Sequence, residues 1–278
     1  MAYKSIFTAL TGFDEASPAL ALATSVSRQQ DAHLSALCVG HDPLQGGFYE
    51  IGANAMIVQA AIEEATARSE EVSIKTSSYL QRAAVIHDVA TAVSTAAGVG
   101  RTVASHARFA DLAVLDMPFR KISTAADNLV LEGILFEARC PTLIAPNQAN
   151  LFENATAVIG WNESAQALSA VKAALPVLKV AAAVHIAVID PPSIGPERSD
   201  PGGALAIFLS RHGIRCDIQV LSREGLRVSD RLQKHVQEQD AELLVMGAYG
   251  HSRFREAVLG GATQEILETA KTAVFLAH

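Results

Sequence analysis

Aromatic side chains are scarce: they make up 5% of a 278-residue chain, and only one of them is a tryptophan. Half of the residues are nonetheless apolar, so the core must be built from Ala, Val, Leu and Ile rather than from rings. No run approaches 18 uninterrupted apolar residues, which excludes a membrane-spanning helix. The start, Met1-Ala2-Tyr3-Lys4-Ser5-Ile6-Phe7, runs straight into a strand pattern without a basic segment followed by a long apolar one, so a cytoplasmic location is expected. Cysteine is equally sparse. Cys38, Cys140 and Cys216 stand far apart, form no CxxC or zinc spacing, and read as reduced thiols in apolar surroundings. A formal charge of −7 leaves no electrostatic footprint for nucleic acid.

The chain instead contains an internal repeat. Thr11-Gly12-Phe13-Asp14-Glu15-Ala16 resembles Ile159-Gly160-Trp161-Asn162-Glu163-Ser164, an offset of 148, which also carries Asp42-Pro43 onto Asp190-Pro191. Asp111–Leu115 matches Glu242–Met246 at an offset of 131, and this register continues to pair Thr142–Ala145 with Ala273–Leu276. The 17-residue difference falls between Gly52 and Arg82, a long helical stretch in the first half. Its counterpart, Pro191 to Gly213, is shorter and rich in proline and glycine. The polar stretch Pro146–Asn150 marks the join, giving domains 1–148 and 149–278.

In the second half, strand patterns cover about 155–160, 181–189, 217–221, 242–247 and 273–277. Helical spacing covers 164–178, 226–239 and 264–270. Short apolar strands alternating with helices predict a parallel sheet covered on both faces, an α/β fold that binds ligands at the carboxyl ends of its strands. Three loops follow such ends: Gly160-Trp161-Asn162-Glu163-Ser164, the segment after Val188-Ile189-Asp190, and Gly247 to Thr263. A polar side chain, aliphatic groups and a glycine loop at these positions suit ribose, base and phosphate respectively. The third loop reads Gly247-x2-Gly250-x9-Gly260-Gly261, then Ala262-Thr263 and a helical pattern. Glycines allow backbone N–H groups to approach an anion, and a helix start supplies unpaired donors. His251, Arg253 and Arg255 could neutralise phosphates or simply form a solvated charged loop. His87, His106 and His185 show no ligand spacing.

This arrangement resembles the universal stress protein family in its tandem form, across nearly the whole chain. The resemblance implies two Rossmann-like (adenine nucleotide alpha hydrolase-like) domains, each with a five-stranded, mainly parallel sheet. The family motif Gly-x2-Gly-x9-Gly-Ser/Thr departs here at Gly261, and the family's strand-one aspartate is Asn162, whose amide can still meet ribose hydroxyls. By that resemblance Val188 and Met246 would flank adenine, and the ligand would be ATP, ADP or AMP, with or without Mg²⁺. The first half keeps Asp14, but the glycine positions become Asp116, Phe119, Leu129 and Val130, the composition of a nucleotide-free structural repeat. The expected function is an adenine-nucleotide-binding stress or signalling module acting on an unidentified protein partner, without a dedicated substrate reaction. Slow ATP hydrolysis or a purely structural interaction protein are the alternatives. Residues 159–164 contain neither an HxGH-like nor an SGGxDS-like motif, as related transferases and pyrophosphatases would require.

The family resemblance further implies pairing through fifth strands, Pro141–Ala145 with Ala273–Ala277, as an intramolecular pseudo-dimer, with homodimerisation as a second mode. An exposed apolar edge invites aggregation unless covered. Residues 151–278 expressed alone are therefore expected to self-associate or precipitate. A monomeric fragment in analytical ultracentrifugation, with ATP affinity equal to that of the full chain, would contradict the pairing.

Overall fold

β1 (Ser5–Leu10) is apolar on both faces and nearly continuously buried, as expected for an inner strand of a parallel sheet. The computed structural model describes residues 2–42, 55–118, 125–146, 154–191, 199–248 and 261–278. The chain divides into two compact units, residues 2–142 and 143–278.

In the first unit β1 leads into α1 (Pro18–Gln30), β2 (His33–Asp42), α2 (Ala55–Arg82), β3 (His87–Thr95), α3 (Val99–Ala107), β4 (Leu112–Asp116) and α4 (Ala125–Glu132). A π-helical turn, Gly133–Glu137, prolongs α4 before β5 (Thr142–Ala145) begins at the unit's last residue. The strand order is β3-β2-β1-β4, with parallel pairing throughout. The chain entering β5 is tied to β4 by the Ala113 N–H, which donates to the Pro141 carbonyl at 2.8 Å. α1 starts as its sequence dictates: Ser17 accepts a hydrogen bond from the Leu20 N–H and Pro18 opens the helix. The long helix anticipated up to Arg82 is α2. It covers β2, where Gly40 leaves room for the Ala65 carbonyl and Cys38 lies buried with Leu10 and Val72.

The second unit runs β6 (Thr156–Trp161), α5 (Ala165–Leu178), β7 (Ala183–Ile189), α6 (Gly203–Arg211), β8 (Asp217–Leu221), α7 (Val228–Glu238), β9 (Leu243–Gly247), α8 (Gly261–Thr269) and β10 (Ala273–Ala277). Its order is β10-β9-β6-β7-β8, again parallel. All five strands lie within two residues of the expected limits. Two helices depart from them. α6 forms inside the proline- and glycine-rich stretch, opened by Gly202 at φ 86, where a side chain would be strained. α8 begins at Gly261 rather than Gln264, because the first turn of a helix needs no intrahelical N–H partner.

Both units are therefore Rossmann-like α/β folds, and each reverses strand order once, between β1 and β4 and between β6 and β9. Gly160 and Met246 are register partners on one sheet face, against Leu232 of α7; Gly247, one residue on, faces α5 on the other. Cys38 and Cys140 are buried, and Cys216 is partly exposed. Burial pushes the Cys140 thiol up to about 12, so it remains protonated and unreactive at neutral pH.

Two helices of the first unit cross in close backbone contact. A Cβ on Gly133 would overlap the Gly100 carbonyl oxygen and stand 2.7 Å from the Gly100 Cα. Both are backbone atoms without rotamers to yield. Gly133→Ala is expected to destabilise by about 1–3 kcal/mol, the cost of overpacking. Chemical denaturation would measure it, and an unchanged midpoint would show that the crossing relaxes freely.

Candidate functional site

Parallel register gathers the candidate residues at one end of the second sheet. Gly160 pairs with Met246, Trp161 with Val188, and Ala277 with Gly247. These are the carboxyl ends of β6, β7, β9 and β10, around the point where strand order reverses. Connections leaving β6 and β9 diverge there and open a crevice in such sheets. Val188 and Met246 are buried, and Trp161 is 8% exposed. The Trp161 Nε1–H is buried without an acceptor among the described residues, a donor whose desolvation none of them offsets.

The loop after β6 is held by its own polar groups. Asn162 is exposed, and its carboxamide oxygen accepts from Ser164 Oγ at 2.7 Å and from the Ser164 N–H at 3.3 Å. Ser164 Oγ in turn accepts from the Ala167 N–H at 3.1 Å and caps α5. Glu163 takes a left-handed φ of 59 between them. With its oxygen engaged, the Asn162 amide offers a ligand its NH₂ donors. Ser164 was legible as a serine three residues ahead of an apolar helical run, yet its part in fixing Asn162 was not read from sequence.

Gly247 has a structural reason to be glycine: a Cβ there would stand 2.5 Å from the Ala167 N and 2.7 Å from the Gln166 carbonyl carbon. The end of β9 thus lies directly on the first turn of α5. Gly261 and Ala262 are exposed and Thr263 is buried, all in the first turn of α8. Arg227 Nη1 donates to Glu265 at 2.6 Å, and the Ser229 hydroxyl bonds the same carboxylate, fastening α8 to α7. Gly250, His251, Arg253 and Gly260 lie outside the described residues. Asp190, after β7, is held below the usual carboxylate range chiefly by the hydrogen bond from the Arg223 guanidinium at 2.6 Å.

The matching place in the first unit has different chemistry. At the β1–β4 reversal lies a cleft of about 280 Å³ whose described lining includes Leu10, Leu115, Met117 and Leu131 and the carboxylates of Asp14, Asp116 and Asp127, with no lysine or arginine among the described residues that line it. Asp116, in the position of Gly247, accepts from Ser17 Oγ at 2.9 Å and from the Ala19 N–H at 3.1 Å. Its carboxylate caps the helix that follows β1. Thr11 Oγ1 donates to Asp127 at 3.2 Å. The first unit supplies its own anion at its own helix start.

The fold is that of a tandem Rossmann-like α/β protein, with the candidate residues of its second half gathered at the carboxyl ends of the strands. Residues 156–278 match the model of the Universal stress protein family, so the second half of the chain is a universal stress protein domain. A universal stress protein from Archaeoglobus fulgidus DSM 4304 superposes with a TM-score of 0.72 at 14% identity, over 98% of this chain and 97% of that one. A protein described as functionally unknown from Pseudomonas aeruginosa PAO1 gives 0.60 at 15% identity, over 99% and 92%. A putative universal stress protein from Pseudomonas aeruginosa UCBPP-PA14 gives 0.59 at 16%, over 99% and 93%. At these identities the likeness is one of fold, and it spans both halves. No curated protein matches the chain.

The two described glycines of the loop should respond oppositely to a methyl group. Gly247→Ala must push β9 from the α5 backbone and is expected to cost about 1–3 kcal/mol. Gly261→Ala meets nothing within 4 Å and should change stability by less than about 0.5 kcal/mol. Thermal melts of the two variants test this, and equal melting points would remove the close-packing explanation of Gly247.

Proposed function

We propose that this chain is an adenine-nucleotide-binding stress or signalling module that holds one nucleotide per chain in its second unit and performs no dedicated substrate reaction. The contrast between Gly247 and Asp116 carries the reading. One strand end is bare beside a helix start, and its counterpart fills the same place with a carboxylate. Val188 and Met246 would flank the base, the Asn162 amide would reach ribose, and the loop from Gly247 to Thr263 would cradle phosphates. The orphaned Trp161 N–H fits a site completed by an acceptor from outside the chain. Among the described residues no three His, Cys, Asp or Glu side chains group as a metal site, so Mg²⁺ would arrive with the phosphates and keep its waters. The first unit, with three carboxylates lining its cleft, would leave phosphates unbound and serve a structural role.

Isothermal calorimetry with ATP, ADP and AMP should give one site per chain for the preferred nucleotide. Gly250→Phe, which places at this position the residue type of Phe119, should abolish that heat with an unchanged melting point for the ligand-free protein. Two equivalent sites, none, or undiminished affinity in the variant would refute the assignment.

A further inference from the structure

α7 packs against the candidate strand ends from one face of the sheet. The methyl of Leu232 packs where a Gly160 Cβ would be, 3.0 Å away. Its first residues hold Glu265 of α8 through Arg227 and Ser229, and Gln233 donates to Thr269 Oγ1 at 2.8 Å. One helix therefore touches the end of β6 and fixes the helix that opens with Gly261.

The seat of this helix is unusually polar. Ser229, Arg231 and His235 are buried alongside Leu232 and Val236. His235 is 1% exposed, and neither ring nitrogen has a hydrogen-bond partner among the described residues. Glu238, on the same helix, is 3.6 Å from Nδ1, beyond a hydrogen bond. That carboxylate is shared: it also faces Arg231 at 3.4 Å and Lys234 at 3.9 Å, while Lys234 reaches Glu224 at 3.7 Å. The Arg231 Nε is spent on the Ser222 carbonyl at 3.1 Å. From the sheet below, His185 of β7 faces His235, and His185 is flanked by Gln219 at 3.4 Å and Asp217 at 4.0 Å on β8. A proton on His235 would thus add charge to a dry pocket that already faces the Arg231 cation, with one shared and more exposed carboxylate to answer it.

We infer that α7 is a pH-responsive brace: it seats most firmly while His235 is neutral, and acidification weakens its hold on the sheet and on the stretch between Gly160 and the start of α8. Burial, reinforced by Arg231 and His185 and opposed by Glu238, holds the imidazole below its ordinary range. Above the ordinary histidine value, about 6.5, seated and unseated helices are both neutral and the brace is at full strength. Below it, the unseated helix takes up the proton first, so seating weakens as pH falls through that value and levels off only beneath the lowered one.

The test is hydrogen exchange of the full-length protein, corrected for intrinsic rate, at about pH 7.5 and 5.5. Protection of residues 228–238 is expected to fall by up to about tenfold per pH unit below 6.5, with α5 unchanged. His235→Leu should abolish the dependence, and His185→Gln, which removes a neighbour that opposes a proton on His235, should make the loss of protection level off at a higher pH; an unmoved or lowered levelling point overturns the part assigned to His185. Equal protection at both pH values, or the same loss in His235→Leu, would overturn the brace. Its coupling to ligand rests on the nucleotide reading above: ATP affinity should fall more in the wild type than in His235→Leu over the same window, and an equal fall would overturn the coupling. Protection lost without ATP binding at any pH would refute the nucleotide reading alone; ATP binding with pH-independent protection would refute the brace alone.

Discussion

The second unit depends on the approach of one strand end to one helix start. At Gly247 the β9 backbone comes so close to the first turn of α5 that a single methyl group would collide with it. That approach fixes where β9 ends, and hence where the connection to α8 must leave the sheet. Register carries the constraint sideways, because Met246 is locked to Gly160 and Trp161 to Val188. Four candidate residues thus owe their common location to backbone hydrogen bonding, and their chemistry to which residue happens to end each strand.

The two units show how one scaffold tolerates opposite solutions at that point. Both cap the helix after the first strand with a serine, Ser17 and Ser164. Where the second unit omits a side chain, the first extends a carboxylate that accepts from the Ala19 N–H of α1 and from the Ser17 hydroxyl. A helix start favours negative charge whether that charge comes from solution or from the chain. The aspartate satisfies the same electrostatic preference with a covalently attached group.

Much of this was legible because repeats, strand runs and glycine spacing are one-dimensional signals. Ala273–Ala277 and Leu243–Gly247 announce themselves as short apolar runs, and the two offsets locate their counterparts. The remainder depended on contacts that composition does not encode. α6 forms within a stretch whose glycines and prolines argue for a loop, since Gly202 supplies the one strained torsion needed at its start. The π-turn at Gly133–Glu137 has the same apolar pattern as an α-helix, and its need for glycine appears only against Gly100. On α7, nothing in the sequence marks the polar residues Arg231 and His235 as buried, yet Arg231 is 7% exposed and His235 1%. Their burial follows from the rotation of α7 that puts Leu232 over Gly160, a tertiary choice that overrides local preference.

The carboxylate of Asp116 also separates the two units thermodynamically. A group tethered to the chain is present at an effective concentration set by geometry, whatever the medium contains. Any anion that fills the equivalent place in the second unit acts by mass action instead, and stabilises that unit by an amount that grows with its concentration. On the proposed reading, occupancy would make the stability of the second unit track the composition of its surroundings while the tethered carboxylate of the first would not, an internal reference joined to a variable element in one polypeptide.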